Sequence, residues 1–363
     1  MSLPDNPAKS TSSPESELIR KMTIPRTMRA AVLTGPMQLE LQERPLPVPD
    51  HDQVLVKILA VGVCGSDVHF YREGEVGGFI ASQPLVLGHE AGGEIVAVGS
   101  AVDSARIGER VSIEPQRPSP TSAESLRGEY NLDPNMLFYS APGTDGAFQE
   151  YQTIQSHFAF KIGSDVSDDA AGLMEPLSCA IAAARKARLS VGDRVLITGA
   201  GPIGLCCLQV AVASGARTVT VSDPSAFRRN AALRLGASAV VDPSDGDIRQ
   251  FDLGVDVFID AAGVTSAIHD GLPNTRPGGS AVLVGTGDLE VPMPIPLLQN
   301  KEITVAGVFR YNNTWPTAIG LVENRQVDLD SLVTNRYGLG EVAEALSSTV
   351  LPGTIKSVVN PQK

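Results

Sequence analysis

The sequence predicts an α/β chain: a β-rich first part, followed by a doubly wound parallel sheet. Three observations carry this. Strand-like runs, closely punctuated by Gly and Pro, fill the stretch from Met28 to Ile154. Past Leu177, short continuous apolar strands alternate with helix-like segments, the pattern of parallel strands covered on both faces. The first of those strands leads into the glycine-rich turn Gly199-Ala200-Gly201-Pro202-Ile203-Gly204.

In chain order, residues 1–26 are rich in Ser, Pro and charge, lack apolar periodicity, and read as a disordered tail. Strands are expected at Met28–Leu33, Val54–Val61, Glu94–Val98, Arg110–Ile113 and Phe148–Ile154. Val195–Ile197 is too short for a helix and has a branched residue at each end, so it reads as a strand. A helix over Ile203–Ser214 follows and stops at Gly215, and Thr218–Val221 is the next strand. Ser225 caps a helix running to Leu235, and Gly236 ends it. Val255–Ile259, Ala281–Val284 and Ile303–Val308 are further apolar strands. The pattern then turns mixed, with a helix around Pro316–Glu323 and a strand at Ile355–Val359. The uncharged stretch Val195–Ala216 has the length of a membrane span, but Gly199, Gly201, Pro202 and Gly204 break it in the middle.

A chain of 363 residues suggests about two domains. A net charge of −12 and a pI near 4.9 argue against nucleic-acid or anionic-membrane partners, which would call for a basic footprint. The four cysteines, Cys64, Cys179, Cys206 and Cys207, have no disulfide-scaffold spacing, and no basic-then-apolar leader is visible. A reducing cytoplasm is the expected compartment.

The turn Gly199-x-Gly201-x-x-Gly204, with Pro202 and Ile203 between its last two glycines, follows a strand and opens a helix. In that context it reads as a cradle for a dinucleotide pyrophosphate. The first glycine serves the tight turn, the second the close approach of phosphate, and the third helix–strand packing. The helix N-terminus adds free N–H groups. Asp223, at the end of the next strand, is placed to accept hydrogen bonds from the ribose hydroxyls and to repel a 2′-phosphate, which favours NAD over NADP. Arg228 and Arg229 pull the other way, since a basic side chain there suits a phosphate.

Cys64 lies in Gly62-Val63-Cys64-Gly65-Ser66-Asp67-Val68-His69, and further on comes Gly88-His89-Glu90. A thiolate, an imidazole and a carboxylate are ligand types of a catalytic zinc that keeps one position open. Each set follows an apolar strand and has a glycine neighbour. Together with the dinucleotide turn they point to metal-assisted hydride transfer.

These motifs resemble the signatures of the zinc-dependent medium-chain dehydrogenases. Glu175-Pro176-Leu177-Ser178, Gly128-Glu129-Tyr130-Asn131-Leu132 and the run Phe309-Arg310-Tyr311-Asn312-Asn313-Thr314-Trp315-Pro316 resemble its sorbitol (polyol) dehydrogenase branch. The resemblance covers about residues 28 to 360. It implies a GroES-like catalytic domain over 27–176 and 310–363, with a Rossmann domain over 177–309. It implies zinc on Cys64, His89 and Glu90, with water or substrate in the fourth position. Glu175 would lie beside that position, Ser66 and His69 would relay a proton, and Arg310 and Tyr311 would contact a polyhydroxylated substrate.

The implied reaction is reversible, NAD-dependent oxidation of a secondary hydroxyl of a sugar alcohol (sorbitol, xylitol or arabinitol type) to a ketose, by a homodimer or homotetramer. The competing expectations are another zinc alcohol or threonine dehydrogenase, or a non-catalytic NAD-binding protein. Two departures matter. Many relatives carry a structural zinc on four close cysteines, but residues 114–151 contain neither Cys nor His, so one zinc per subunit and no structural zinc is expected. Packing by Tyr130, Leu132, Leu137 and Phe138 is expected to hold that loop, with Pro118, Pro120 and Pro134 limiting its freedom. Phe70 stands where many relatives place a tyrosine, with Tyr71 next to it. Plainer readings remain for three residues: Glu175 as a helix cap, His69 as a surface residue, and Arg310 as a salt-bridge partner.

Overall fold

Apolar residues at Met28, Ala30 and Val32 bury one face of β1 (Thr27–Gly35), which pairs antiparallel with β2 (Gln38–Pro45). The computed structural model describes residues 24–81, 84–244, 253–288 and 290–363. Most of the proposed disordered tail, residues 1–23, lies outside them. β3 (Gln53–Gly62) is buried along most of its length and leads into α1 (Gly65–Glu73). β4 (Glu90–Val98) and β5 (Arg110–Ile113) follow. The two-residue strands β6 (Gln116–Arg117) and β7 (Leu137–Phe138) close a loop on each other. β8 (Tyr151–Gln155) and β9 (Ala159–Lys161) complete the N-terminal strands.

These strands meet the chain's other end. β16 (Val333–Gly338) and β17 (Lys356–Asn360) join a seven-stranded sheet of order β9-β5-β4-β3-β17-β16, in which β8 also pairs with β3. The helix between them, α8 (Val342–Ser348), buries Val342, Ala345 and Leu346 against the same core as β1, β3 and β4.

Between the two ends lies a six-stranded parallel sheet. Its members are β10 (Arg194–Thr198), β11 (Thr218–Ser222), β12 (Ala239–Val241), β13 (Val255–Asp260), β14 (Thr275–Leu283) and β15 (Thr304–Gly307). Their order is β12-β11-β10-β13-β14-β15. The order reverses between β10 and β13, and the crevice outside the carboxyl ends of such neighbours is where doubly wound sheets bind ligands. α3 (Pro202–Ala213) and α4 (Ala226–Arg234, capped by Ser225) connect β10 to β11 and β11 to β12. α5 (Thr265–Gly271) and α6 (Ile295–Lys301) make the later crossovers, and α7 (Trp315–Glu323) leads back to the first sheet.

α2 (Asp168–Ala187) joins the two sheets. Ser167 caps it by accepting from Ala170 N–H, and Asp168 and Asp169 sit in its first turn, where the helix dipole favours acids. It buries Leu173, Leu177 and Ile181 in one cluster with Val195, Ile197 and Leu205 of the parallel sheet and its helix. It also meets β4 closely: a Cβ on Gly92 would stand 2.5 Å from Ala171 Cβ. The position between 176 and 177, where two domains were expected to divide, falls inside this continuous helix.

Other expectations shift. The strand expected from Phe148 begins at Tyr151, although the Phe148 carbonyl still accepts from Ala31 N–H at 2.9 Å. β14 begins at Thr275 and runs through Pro277-Gly278-Gly279, ahead of the apolar run that announced it. Leu132 and Leu137 are 48% and 52% exposed, so they do not hold the 118–136 loop by burial. Polar contacts tie it instead: Asp133 accepts from Ser119 N–H at 2.5 Å and Asn135 N–H at 3.1 Å. Of the four residues expected to pack, Phe138 is buried and the Tyr130 ring lies 5.8 Å from that of Phe158. No helix among the described residues is long and apolar enough to cross a membrane.

Candidate active site

Cys64 is the residue that caps α1, directly after β3. Its backbone N–H donates to Asp67 Oδ2 at 3.1 Å. The antiparallel register of β3 with β4 sets Gly62 opposite Glu90. A Cβ on Gly62 would fall 2.0 Å from Glu90 Oε2, so the carboxylate lies where only glycine leaves room. Gly88, at φ +91°, turns the chain so that His89 follows the strand's edge inward. The Cys64, His89 and Glu90 donor atoms all lie within 4.8 Å of one another.

That donor set fits zinc. Glu90 Oε2 is buried with no hydrogen-bond partner, and His89 and Glu90 are buried while Cys64 is half-buried. An orphaned buried carboxylate oxygen is costly unless something cationic or protic meets it. Asp67, fully buried, orients the histidine. Its Oδ1 is 3.5 Å from His89 Nδ1 and accepts from Gly88 N–H at 3.0 Å and Ser140 Oγ at 2.8 Å. Burial pushes the Asp67 carboxyl up, but the charge of His89 and these bonds outweigh it and leave it below the usual range. A carboxylate behind a ligand histidine fixes its tautomer and ring orientation. Burial pushes the His89 imidazole down, and Asp67 and Cys64 more than reverse it.

Lys356 comes in from β17. Its Nζ donates to Glu90 Oε1 at 2.5 Å and to the Val63 carbonyl at 2.8 Å. Burial disfavours the ammonium, and the carboxylate of Glu90 restores it above its ordinary pKa.

Glu175 is buried in the interior of α2, ahead of Pro176, so it does not cap the helix. Burial and the negative charge of Glu90 hold its carboxyl above the ordinary range, against the opposing charge of His89. Ser66 and His69 both lie on α1, three residues apart. Ser66 is half-buried, and His69 is half-exposed with Nδ1 3.3 Å from Glu73 Oε1. Phe70 and Tyr71, each 6% exposed, belong to the core.

Arg310 is no salt-bridge residue among the described contacts. Its guanidinium lies over the Phe138 ring, 3.9 Å from the centroid, and 4.7 Å from that of Phe309. The other edge of this group is the Cys64–His89–Glu90 cluster, since Phe138 also stands 5.4 Å from the His89 ring. Tyr311 is buried edge-on to Trp315 at 5.1 Å, and its hydroxyl faces the Glu175 carboxyl. Burial first, then the charge of Glu175, raises the Tyr311 phenol far above its ordinary pKa.

At the second centre, Gly199 takes φ +89°, which disfavours any side chain. A Cβ on Gly204 would strike the Gly199 carbonyl oxygen at 1.8 Å, while one on Gly201 would meet open space. So the first glycine serves the turn, the third serves packing, and the second faces room for a ligand. Gly201 precedes α3, with Pro202 and Ile203 in its first turn. Asp223 is buried, with Oδ2 accepting from Ala200 N–H at 2.7 Å and Oδ1 from Ser225 N–H at 2.7 Å. Arg228 reaches the Thr354 carbonyl at 3.4 Å. Arg229 is held by the Asp223 carbonyl and by Asp242, each at 2.7 Å.

Sequence reasoning assigned no role to Asp67, Lys356 or Asp260. Asp67 was visible inside the Cys64 run, three residues after a ligand candidate. Lys356 carried no local signal. Asp260 ends β13 and accepts from Thr198 Oγ1 at 2.9 Å and Gly263 N–H at 3.1 Å, closing the floor of the β10–β13 crevice.

Two family models match this chain: alcohol dehydrogenase GroES-like domain over residues 50–164, and zinc-binding dehydrogenase over residues 202–324. It is 37% identical to a sorbitol dehydrogenase of Bacillus subtilis over 331 residues, covering 89% of this chain and 94% of the relative. With the human sorbitol dehydrogenase it shares 38% identity over 325 residues, 87% of this chain and 91% of the relative. Among solved structures it superposes on the L-idonate 5-dehydrogenase of Escherichia coli with a TM-score of 0.87 and 27% identity, covering 92% of this chain and 98% of that one.

Proposed function

The chain belongs to the zinc-dependent medium-chain dehydrogenases, in the group of the sorbitol dehydrogenases, and on that footing we propose how its residues serve the reaction. It is an NAD-dependent zinc polyol dehydrogenase that oxidises a secondary hydroxyl of a sugar alcohol to a ketose. The observation that carries the proposal is the cluster of Cys64, His89 and Glu90 donors within 4.8 Å, with an unpartnered carboxylate oxygen among them.

Cys64, His89 and Glu90 hold the zinc, which when bound supplies a Lewis acid that lowers the pKa of an alcohol. Glu175, buried beside them, holds water or substrate and accepts a proton more readily than an exposed carboxylate. Ser66 and His69, three residues apart on α1, would carry the substrate proton outward, His69 Nδ1 standing close to solvent. The charged Arg310 and the buried hydroxyl of Tyr311, beside Glu175, grip the substrate's other hydroxyls. Gly199, Gly201, Pro202, Ile203 and Gly204 cradle the pyrophosphate, and Asp223 and Arg228 flank the ribose of NAD. The division into a catalytic part (27–176 and 310–363) and a cofactor part (177–309) is proposed with α2 as the shared wall.

One zinc per subunit is proposed because residues 114–151 offer neither Cys nor His. A cytoplasmic homodimer or homotetramer completes the reading. Four free cysteines suit a reducing compartment, and β15, the last strand of its sheet, offers an edge to a second copy. The test is NADH formation with a panel of polyols, simple alcohols and threonine, with and without a chelator. Turnover of polyols, lost on chelation, is the expected result. Turnover of threonine or simple alcohols alone would overturn the substrate class, and no turnover with any substrate would overturn the enzyme.

A further inference from the structure

The turn Phe309–Asn313 contains two non-glycine residues with left-handed backbones, Arg310 at φ 57° and Asn313 at φ 51°. Such conformations are strained for a residue with a side chain and persist only where the surroundings over-determine them. Here the surroundings are a second segment, residues 114–131, and Arg185 of α2, whose guanidinium donates to the Asn312 and Asn313 carbonyls at 3.1 and 3.0 Å. Asn131 Nδ2 donates to the Phe309 carbonyl at 2.8 Å, and Gln116 Nε2 to the Tyr311 carbonyl at 3.0 Å. Asn312 and Asn313 side chains donate to the Gly128 carbonyl at 2.7 and 3.1 Å. The Asn313 N–H donates to the Tyr130 hydroxyl at 2.7 Å.

Two of these anchors share one origin. Glu114 Oε1, buried behind the turn, accepts from Tyr130 Oη at 2.7 Å and from Gln116 Nε2 at 3.0 Å. A single carboxyl oxygen therefore holds two of the side chains that anchor the turn. What the turn presents is Arg310, flat on Phe138, whose ring also touches His89 of the metal cluster. A tether that sets the backbone at 310–313 sets where that guanidinium stands relative to the metal.

We infer that Glu114, acting through Tyr130 and Gln116, is a positioning residue that fixes Arg310 against the substrate and so helps decide which hydroxyl of a polyol is presented for oxidation. The inference rests on the proposed role of Arg310 as a substrate contact. A polyol offers several similar hydroxyls, so selection requires a donor at a fixed distance from the reacting carbon. A loose arginine would bind the chain in several registers.

The test uses the zinc-loaded enzyme with NAD and two polyols that differ at one stereocentre. Arg310→Ala measures the arginine itself. Tyr130→Phe cuts one of the two links between Glu114 and the turn while keeping the ring. Tyr130→Phe is expected to raise the polyol KM by about tenfold and to narrow the preference between the two polyols, with the KM for NAD within about twofold. In the Arg310→Ala background it should add less than about twofold, because both changes act through one group. Glu114→Gln keeps an acceptor oxygen and is expected to hold the polyol KM near that of the wild type. If Tyr130→Phe does not fold, Asn131→Ala, which loosens the turn from a half-buried side chain, is expected to move the same parameter in the same direction. An unchanged polyol KM, equal rises in both KM values, or full additivity with Arg310→Ala overturns the positioning role alone. No effect of Arg310→Ala on polyols overturns the underlying reading of Arg310 as well.

Discussion

Lys356 Nζ lies 2.5 Å from Glu90 Oε1, and the two side chains are 3% and 1% exposed. The pair joins the last strand of the first sheet to the metal cluster. Burying two charges is costly, and removing one partner of such a pair leaves the other uncompensated, a loss of about 3–5 kcal/mol. Lys356→Met should therefore destabilise the zinc-free protein strongly. A bound cation beside Glu90 takes over part of the compensation, so the zinc-loaded protein should lose less. Thermal or denaturant unfolding, with and without a chelator, checks this. Equal losses in both states would show that the lysine does not balance the charge that the metal meets.

The two buried glutamates of the site should separate cleanly. Glu90 contributes a donor atom to the cluster, whereas Glu175 stands on α2 and is not part of it. Glu90→Ala should lose bound zinc and activity together. Glu175→Ala should lose activity and keep most of its zinc. Elemental analysis alongside turnover decides, and zinc lost from the Glu175 variant but kept by the Glu90 variant would reverse the assignment.

Asp223 should set the choice of cofactor. Its carboxylate also accepts from Ala200 N–H in the glycine turn and from Ser225 N–H at the cap of α4. Asp223→Ser should therefore loosen the turn and raise the KM for both cofactors. The informative quantity is the ratio of kcat/KM for NAD to that for NADP, which should narrow by at least about tenfold, or about 1.4 kcal/mol. An unchanged ratio would place the carboxylate away from the ribose.

What could be read from the sequence was whatever is local. Cys64 and His89 each stand beside a glycine next to a strand, Glu90 follows His89 directly, and the glycine turn of the cofactor site is bounded by a strand and a helix. α2 was not read as one helix. Pro176 lies inside it, and residues are buried on nearly all its faces, so it shows neither a clean amphipathic stripe nor an uninterrupted run. Leu132 and Leu137 look like core residues by type, but backbone-directed bonds from Asp133 do the holding. The partners that complete the site are distant. Lys356 is 266 residues from Glu90, and Gln116 is 195 from Tyr311, separations that no spacing rule spans. The motifs containing Tyr130 and Arg310 were both legible as strings. Their hydrogen-bonded meeting was not.

Glu114 carries the last prediction. Burial pushes its carboxyl up to about 7, with the nearby charge of Glu175 adding to this and the bonds from Tyr130 and Gln116 opposing it. In the unfolded chain it ionises near the ordinary value of 4.5. Between those values the folded chain keeps a proton that the unfolded chain gives up, so the stability this group contributes is present below pH 4.5 and is lost as pH rises toward 7. The whole loss is about 3 kcal/mol. Glutamine at this position keeps an oxygen for the Tyr130 hydroxyl and cannot ionise. Glu114→Gln should then match the wild type in mild acid and exceed it in stability at pH 8, approaching that difference. Zinc-stripped protein is the proper sample, because a cation in the neighbouring cluster would pull the carboxyl back down. Denaturant unfolding across this range reads the difference directly. Wild-type and variant curves that run parallel would mean that Glu114 ionises in the fold as readily as it does in water.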